Sequence, residues 1–167
     1  MAVAIVEMEH ALLGEALDVY RYYVENSTAT FQISRPTKAD MEKLLFFPQE
    51  KTEQYRSFAL LEDGVFAGYG LVTRFKSREA YDTTAEVTVY LHPRATGKGY
   101  GALMLAHLET FARERGMHSL VAQISAENEA SCKLFARAGY SLCARYHEVG
   151  HKFDRWLDLV CYEKQLD

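Results

Sequence analysis

The stretch PRATGKGYGA, residues 93–102, places glycines at alternate positions, Gly97, Gly99 and Gly101. Its reading decides the fold, because glycine-rich turns hold different phosphates in different sheets. A nucleoside-triphosphate loop needs GxxxxGK followed by Ser or Thr. Here Lys98 precedes Gly99 and residue 92 is His92, so that reading fails. The dinucleotide fingerprint GxGxx[GA] is met by Gly97, Gly99 and Ala102. Its context is wrong: the preceding strand has two distinct faces, HPRAT separates it from the glycines, and no acidic residue stands at the expected distance beyond them. A bare turn would need only one or two glycines. What remains is a backbone cradle. Without side chains, the amides of residues 97–102 can converge on a pyrophosphate, with the following helix adding its partial positive end.

Outward from this stretch, the chain reads as one domain over residues 1–167, with 19 basic residues, 23 acidic residues and a net charge of −4. Neither sign runs in blocks, which argues against a nucleic-acid or membrane-surface partner. The start MAVAIVEMEH lacks the pattern of a secretory signal, and a soluble, cytoplasmic protein is expected. Cys132, Cys143 and Cys161 have no CxxC spacing and are expected to be reduced and mostly buried.

AVAIVEM reads as a strand and HALLGEALDVYRYYVEN as an amphipathic helix. Thr37 and Asp40 have capping-box spacing ahead of a second helix. Residues 57–61 and 65–75 form a hairpin across Glu62-Asp63-Gly64, and residues 83–91 alternate as a two-faced strand. A helix follows the glycines and stops at Gly116. SLVAQIS is a strand, 130–138 a helix closed by Gly139, and 140–147 and 157–165 the last two strands. The order β-α-α-β-β-β-α-β-α-β-β predicts a mixed α/β sheet.

Two ordered motifs now stand together: Arg94-x-x-Gly97-x-Gly99 between strand and helix, and Asn128-x-x-Ser131-x-x-Leu134-Phe135-x-x-x-Gly139-Tyr140 on the next unit. With them the chain resembles the GNAT acetyltransferase superfamily. YVENSTATF at 23–31, KSREAYDTTAEVTVYL at 76–91 and VGHKFDRWLDL at 149–159 sharpen the resemblance to its phosphinothricin acetyltransferase-like branch. The resemblance implies a V-splayed sheet, open between the strands ending at Leu91 and Ser125, with acetyl-CoA in the split and no metal. It places the pyrophosphate on Arg94, Gly97, Lys98, Gly99, Tyr100, Gly101 and Ala102. It pairs the pantetheine amides with the backbone of Val89, Tyr90 and Leu91 as an added strand would be paired. Asn128 would reach the pantetheine arm, cap the next helix, or do both; Ser131 faces the cosubstrate or begins a helical turn.

Acetyl transfer needs a neutral amine, hence a base. Glu86 occupies the position of the branch's catalytic glutamate, the other reading being a sheet-face carboxylate paired with a cation. By resemblance, the backbone N–H near Leu91 faces the developing oxyanion. Phe135 stands where many relatives carry a tyrosine, so a general acid for the thiolate is not assigned. The branch acts on small amino-acid-like amines. For the acceptor's carboxylate Arg78 is the first candidate and Lys76 the second, with Phe31, Phe75 and Tyr81 as walls. The segment 147–159 would cover the pocket, which suits a small acceptor better than a protein N-terminus or lysine. Alternatives are an acyl-CoA-binding sensor, for which Glu86 has no use, and a nicotinamide-dependent dehydrogenase. His147 and His151 do not make a metal helix motif, and no GxSxG elbow occurs. Trp156 is expected to pack between the terminal strands, where a homodimer contact would also lie.

Overall fold

Glu86, Thr88 and Tyr90 alternate with Val87, Val89 and Leu91 along the strand Thr84–Leu91, so one strand can serve two layers. The computed structural model, which describes residues 1–46 and 53–167, puts that strand at the centre of the sheet. The elements are β1 Val3–Glu7, α1 Leu13–Asn26, α2 Lys38–Phe46, β2 Arg56–Glu62, β3 Val65–Arg74, β4 Thr84–Leu91, α3 Tyr100–Glu114, β5 Ser119–Ser125, α4 Glu129–Arg137, β6 Ser141–Lys152 and β7 Arg155–Gln165. This is the mixed α/β order expected from the sequence. The strands lie in the order β1-β2-β3-β4-β5-β7-β6, and only β4 and β5 run parallel.

One face carries α1 and α2, whose Leu17, Val19, Met41 and Leu45 pack with Tyr69 and Leu71 of β3. The other carries α3 and α4, where Met104, Leu105, Leu108 and Phe135 meet Val87, Leu120 and Val160. Local signals fix the ends. Thr37 N–H donates to Asp40 Oδ2 (2.8 Å) and Asp40 N–H to Thr37 Oγ1 (3.2 Å), a reciprocal cap. Asp63 and Gly64 both have positive φ, +50° and +79°, the geometry that matches strand twist in a two-residue hairpin.

The β4–β5 pairing holds only for Thr84↔Ser119, Ala85↔Leu120 and Glu86↔Val121. Beyond Glu86, β4 stays with β3 and β5 with β7, which opens the expected V.

Three expectations change. The last two strands are longer than 140–147 and 157–165, meeting in a hairpin whose Phe153 and Asp154 have φ of +51° and +58°. Trp156 does not pack between them; it is 64% exposed, with its ring against His151. Of the free thiols only Cys161 is buried, since Cys143 is exposed and Cys132 intermediate. No helix among the described residues is long and apolar enough to cross a membrane.

Gly68 lies opposite Leu91 at the open end of β4. A Cβ there would stand 2.6 Å from the Tyr90 carbonyl oxygen, a backbone atom, whereas one at Gly70 would meet the flexible Met104 side chain at 2.6 Å. Gly68→Ala should therefore destabilise the fold by about 2 kcal/mol and exceed the cost of Gly70→Ala in denaturant titration.

Candidate active site

The apex of the V is built by Glu86. It half-buries its carboxylate on the α1 face and accepts a hydrogen bond from Gln123 Nε2 at 3.0 Å. Burial raises its pKa above the ordinary carboxyl value, and the Gln123 bond opposes that only in part. Gln123 pairs directly with Cys161 of β7. The Cys161 thiol is pushed up chiefly by burial and further by Glu86, while Lys76 draws it down. Glu86 and Lys76 thus act electrostatically on one spot of this face.

Along the gap, backbone alternation decides which groups are free. His92 N–H donates to Ala67 O at 2.8 Å, so the amides of Val89 and Leu91 turn to the opposite edge, toward the gap, and those of Tyr90 toward Tyr69. Val89 and Leu91 therefore offer the strand-like edge, and Tyr90 contributes its ring. That ring sits 5.4–5.6 Å from those of Tyr20, Tyr23 and Tyr69. Tyr23 Oη donates to the Leu91 carbonyl at 2.5 Å, tying α1 to the open edge.

At the mouth, His92 Nδ1 accepts the Arg94 N–H (3.1 Å), capping the short 3-10 turn Pro93–Ala95. Gly97 and Gly99 take φ of +75° and +83°, a region other residues enter at a cost. The first backbone bond of α3 runs from Leu103 N–H to Gly99 O, at 3.2 Å. The amides of Tyr100, Gly101 and Ala102 before it have no intrahelical acceptor, which is the arrangement that suits an anion. The side chains of Arg94, Lys98 and Tyr100 turn to Glu62 at the end of β2. Nothing in the sequence near the glycines announces Glu62.

Across the gap, Asn128 caps α4, its Oδ1 accepting Ser131 N–H at 3.2 Å, which leaves its amide nitrogen free to donate. Phe135 is buried in the core against Tyr140.

The acceptor candidates fall in two places. Lys76 Nζ lies 5.1 and 5.4 Å from the ring centres of Phe75 and Tyr81, which pack edge to face. Arg78 is exposed at the start of the 3-10 turn Glu79–Tyr81, without an ion pair among the described residues. Phe31 belongs to the segment after α1 and packs on Gly150, where an added Cβ would lie 2.8 Å from its ring. Lys152 Nζ donates to Thr30 O at 2.9 Å, and Thr28 Oγ1 to Glu127 Oε1 at 2.8 Å. Arg155 grips Glu127 with two bonds of 2.8 and 3.0 Å. The β6–β7 hairpin thereby fastens the segment over the α1 face.

Residues 17–140 match the acetyltransferase (GNAT) family model. The chain is 34% identical over 150 residues to the phosphinothricin N-acetyltransferase of Streptomyces coelicolor, covering 89% of this chain and 88% of that protein. It is 33% identical over 150 residues to the L-methionine sulfoximine/L-methionine sulfone acetyltransferase of Salmonella typhimurium, covering 90% and 86%. The solved GNAT superfamily phosphinothricin acetyltransferase of Sinorhizobium meliloti, in complex with acetyl-CoA, superposes with a TM-score of 0.91 at 27% identity, covering 99% of this chain and 89% of that one. The protein belongs to the GNAT acetyltransferase family and is an acetyl-CoA-dependent N-acetyltransferase.

The Glu127 carboxyl is held down to about 2, first by the Arg155 hydrogen bonds and then by Thr28. A lowered carboxyl pKa stabilises the fold above its unfolded value and loses that contribution as pH falls through the folded value. Glu127→Gln should therefore lower Tm near neutrality, and the gap from wild type should close between about pH 4.5 and pH 2 in thermal scans.

Proposed function

We propose that the acceptor is the primary amine of a small amino acid or analogue of the phosphinothricin, methionine sulfone or methionine sulfoximine type, and that Glu86 is the base. The observation that carries this reading is a carboxylate with raised pKa at the apex of the split, beside the edge of β4 that stays unpaired past Glu86 among the described residues. The relatives' named substrates support the acceptor class.

In this reading the ammonium gives its proton to Glu86, directly or through water. The neutral amine nitrogen bonds to the thioester carbonyl carbon, the C–S bond breaks, and the nitrogen's second proton passes to the departing sulfur or to solvent, so that an amide remains and coenzyme A leaves as thiol or thiolate. A free thiol titrates at about 8.5, so the thiolate is a tolerable leaving group near neutral pH. The Leu91 N–H faces the charge developing on the carbonyl oxygen. Val89 and Leu91 pair with the pantetheine, Asn128 donates to it, and the amides of residues 97–102 hold the diphosphate. Lys76 or Arg78 pairs with the acceptor's carboxylate, with Phe31, Phe75 and Tyr81 shaping the pocket.

The deciding experiment mixes the protein with acetyl-CoA and a panel of amino acids, sulfones, sulfoximines and phosphinic acids, and follows thiol release. Turnover on a member of the panel is expected; cofactor binding without turnover across it would favour a sensor. Glu86→Gln should lower kcat by about 10²-fold or more and abolish the acidic limb of the kcat/KM profile, which should lie above the ordinary carboxyl range. The sign for stability is opposite. A carboxyl with raised pKa costs stability once ionised, so this variant should keep or gain Tm at neutral pH.

The same reading includes a cytoplasmic homodimer. The free thiols suit a reducing compartment. Leu142, Tyr146, Val149 and Trp156 expose 52–64% of their surface on the outer strand pair, an apolar area suited to a second copy. Light scattering at micromolar protein should give twice the chain mass, and Trp156→Glu should shift it toward one.

A further inference from the structure

Glu62 ends β2, far in sequence from the glycine stretch, yet the residue is only 7% exposed because that stretch covers it. Lys98 Nζ donates to its two oxygens at 3.1 and 3.3 Å, Arg94 Nη1 donates at 3.3 Å, and Tyr100 Oη donates to Oε2. Arg94 is fixed a second time by the Phe66 carbonyl. These three donors bracket Gly97 and Gly99, the two positions of the loop with positive φ. Glycines have the most backbone freedom to lose on ordering, so a loop built on them keeps one shape only if its flanks are tethered.

An acidic group beside an anion site is electrostatically adverse, since it cancels one of the loop's two cations. Removing it would add one positive charge, which over roughly 8–10 Å in a solvated loop would tighten diphosphate binding by about two- to fivefold, less in salt. Removing it would also release three charge-assisted anchors, which would weaken binding by about tenfold or more if they shape the cradle. The two effects have opposite signs.

We propose that Glu62 is the positioning residue of the coenzyme A diphosphate site: it holds Arg94, Lys98 and Tyr100 so that the amides of residues 97–102 converge before the cosubstrate arrives. The inference rests on the reading that this loop carries the diphosphate. It also assigns Arg94 and Lys98 to the protein rather than to the phosphates.

The test measures kcat and KM for acetyl-CoA with the amine saturating. Glu62→Gln keeps the shape and removes the charge. It should raise KM about tenfold with kcat unchanged, and Glu62→Asp should restore part of the loss. Tyr100→Phe, which alters no charge, should raise KM by about threefold. With S-acetylpantetheine, a thioester without the diphosphate, wild type and Glu62→Gln should turn over equally. An unchanged or lower KM in Glu62→Gln would overturn the inference, as would an equal loss with S-acetylpantetheine, which marks general damage. Gly99→Val separates this inference from the one beneath it. If that variant raises KM for acetyl-CoA and Glu62→Gln does not, Glu62 has no positioning role and the loop keeps its own; if neither raises KM, the loop does not hold the diphosphate.

Discussion

Three residue pairs, ending at Glu86↔Val121, make up the whole β4–β5 ladder that joins the two halves of the sheet. The closed end is reinforced by Thr83, whose carbonyl accepts from His118 N–H at 2.8 Å and Ser119 N–H at 3.2 Å. Past the apex, each strand is committed to another partner: β4 pairs with β3 as far as Leu91, and β5 with β7 as far as Ser125. Strand twist then carries the two edges apart. Backbone groups on such an edge cannot stay dry without partners. Tyr23 satisfies one, the Leu91 carbonyl. The others face a slot whose chemistry is that of a missing strand, suited to an amide-bearing chain such as pantetheine.

Everything near the slot is arranged to keep it open without leaving it loose. The rings of Tyr20, Tyr23 and Tyr69 surround Tyr90 and hold α1 against β4. From α1 the chain runs under the β6–β7 hairpin, where Thr28, Thr30 and Phe31 each meet a different partner, Glu127, Lys152 and Gly150. Lys152 is almost fully buried, and burial lowers its pKa. A buried lysine bound to one carbonyl is a costly way to fasten a loop. Part of that cost is offset by the Phe153 ring, whose centre lies 5.2 Å from the ammonium.

What the sequence disclosed follows the range of each signal. Thr37 with Asp40 and Asp63 with Gly64 are complete within four residues, so their cap and turn are legible. The alternate glycines of 97–101 exclude a triphosphate loop by spacing, while the acetyltransferase reading came from their resemblance to a family, joined to Asn128 and Gly139. The Phe153-Asp154 turn was not legible, because it reaches positive φ without glycine or asparagine. Nor was the exposure of Trp156, since an aromatic ring in a strand predicts burial unless the outer face lacks a cover. Gln123 and Glu62 were missed for a further reason. Gln123 matters through one partner 37 positions away and Glu62 through three that lie 32, 36 and 38 positions away, and no local pattern encodes such pairings.

The two carboxylates at the apex and the mouth of the gap are set apart by their surroundings. Glu86, half-buried at the apex, is pushed up by burial with a single amide donor to oppose it. Glu62, at the charged mouth, is pulled down first by the Tyr100 hydroxyl and then by Lys98. A carboxylate held low stays ionised across the working range and can serve as a permanent tether. One held high approaches the pH at which it can exchange protons with an amine, which is what base catalysis requires. In the proposed reading the same side-chain type serves opposite duties by position alone. The fold supplies the difference, because β4 meets β5 only at the apex, where Glu86 is half-buried beside one amide donor, and parts from it toward the mouth, where the loop's cations gather on Glu62.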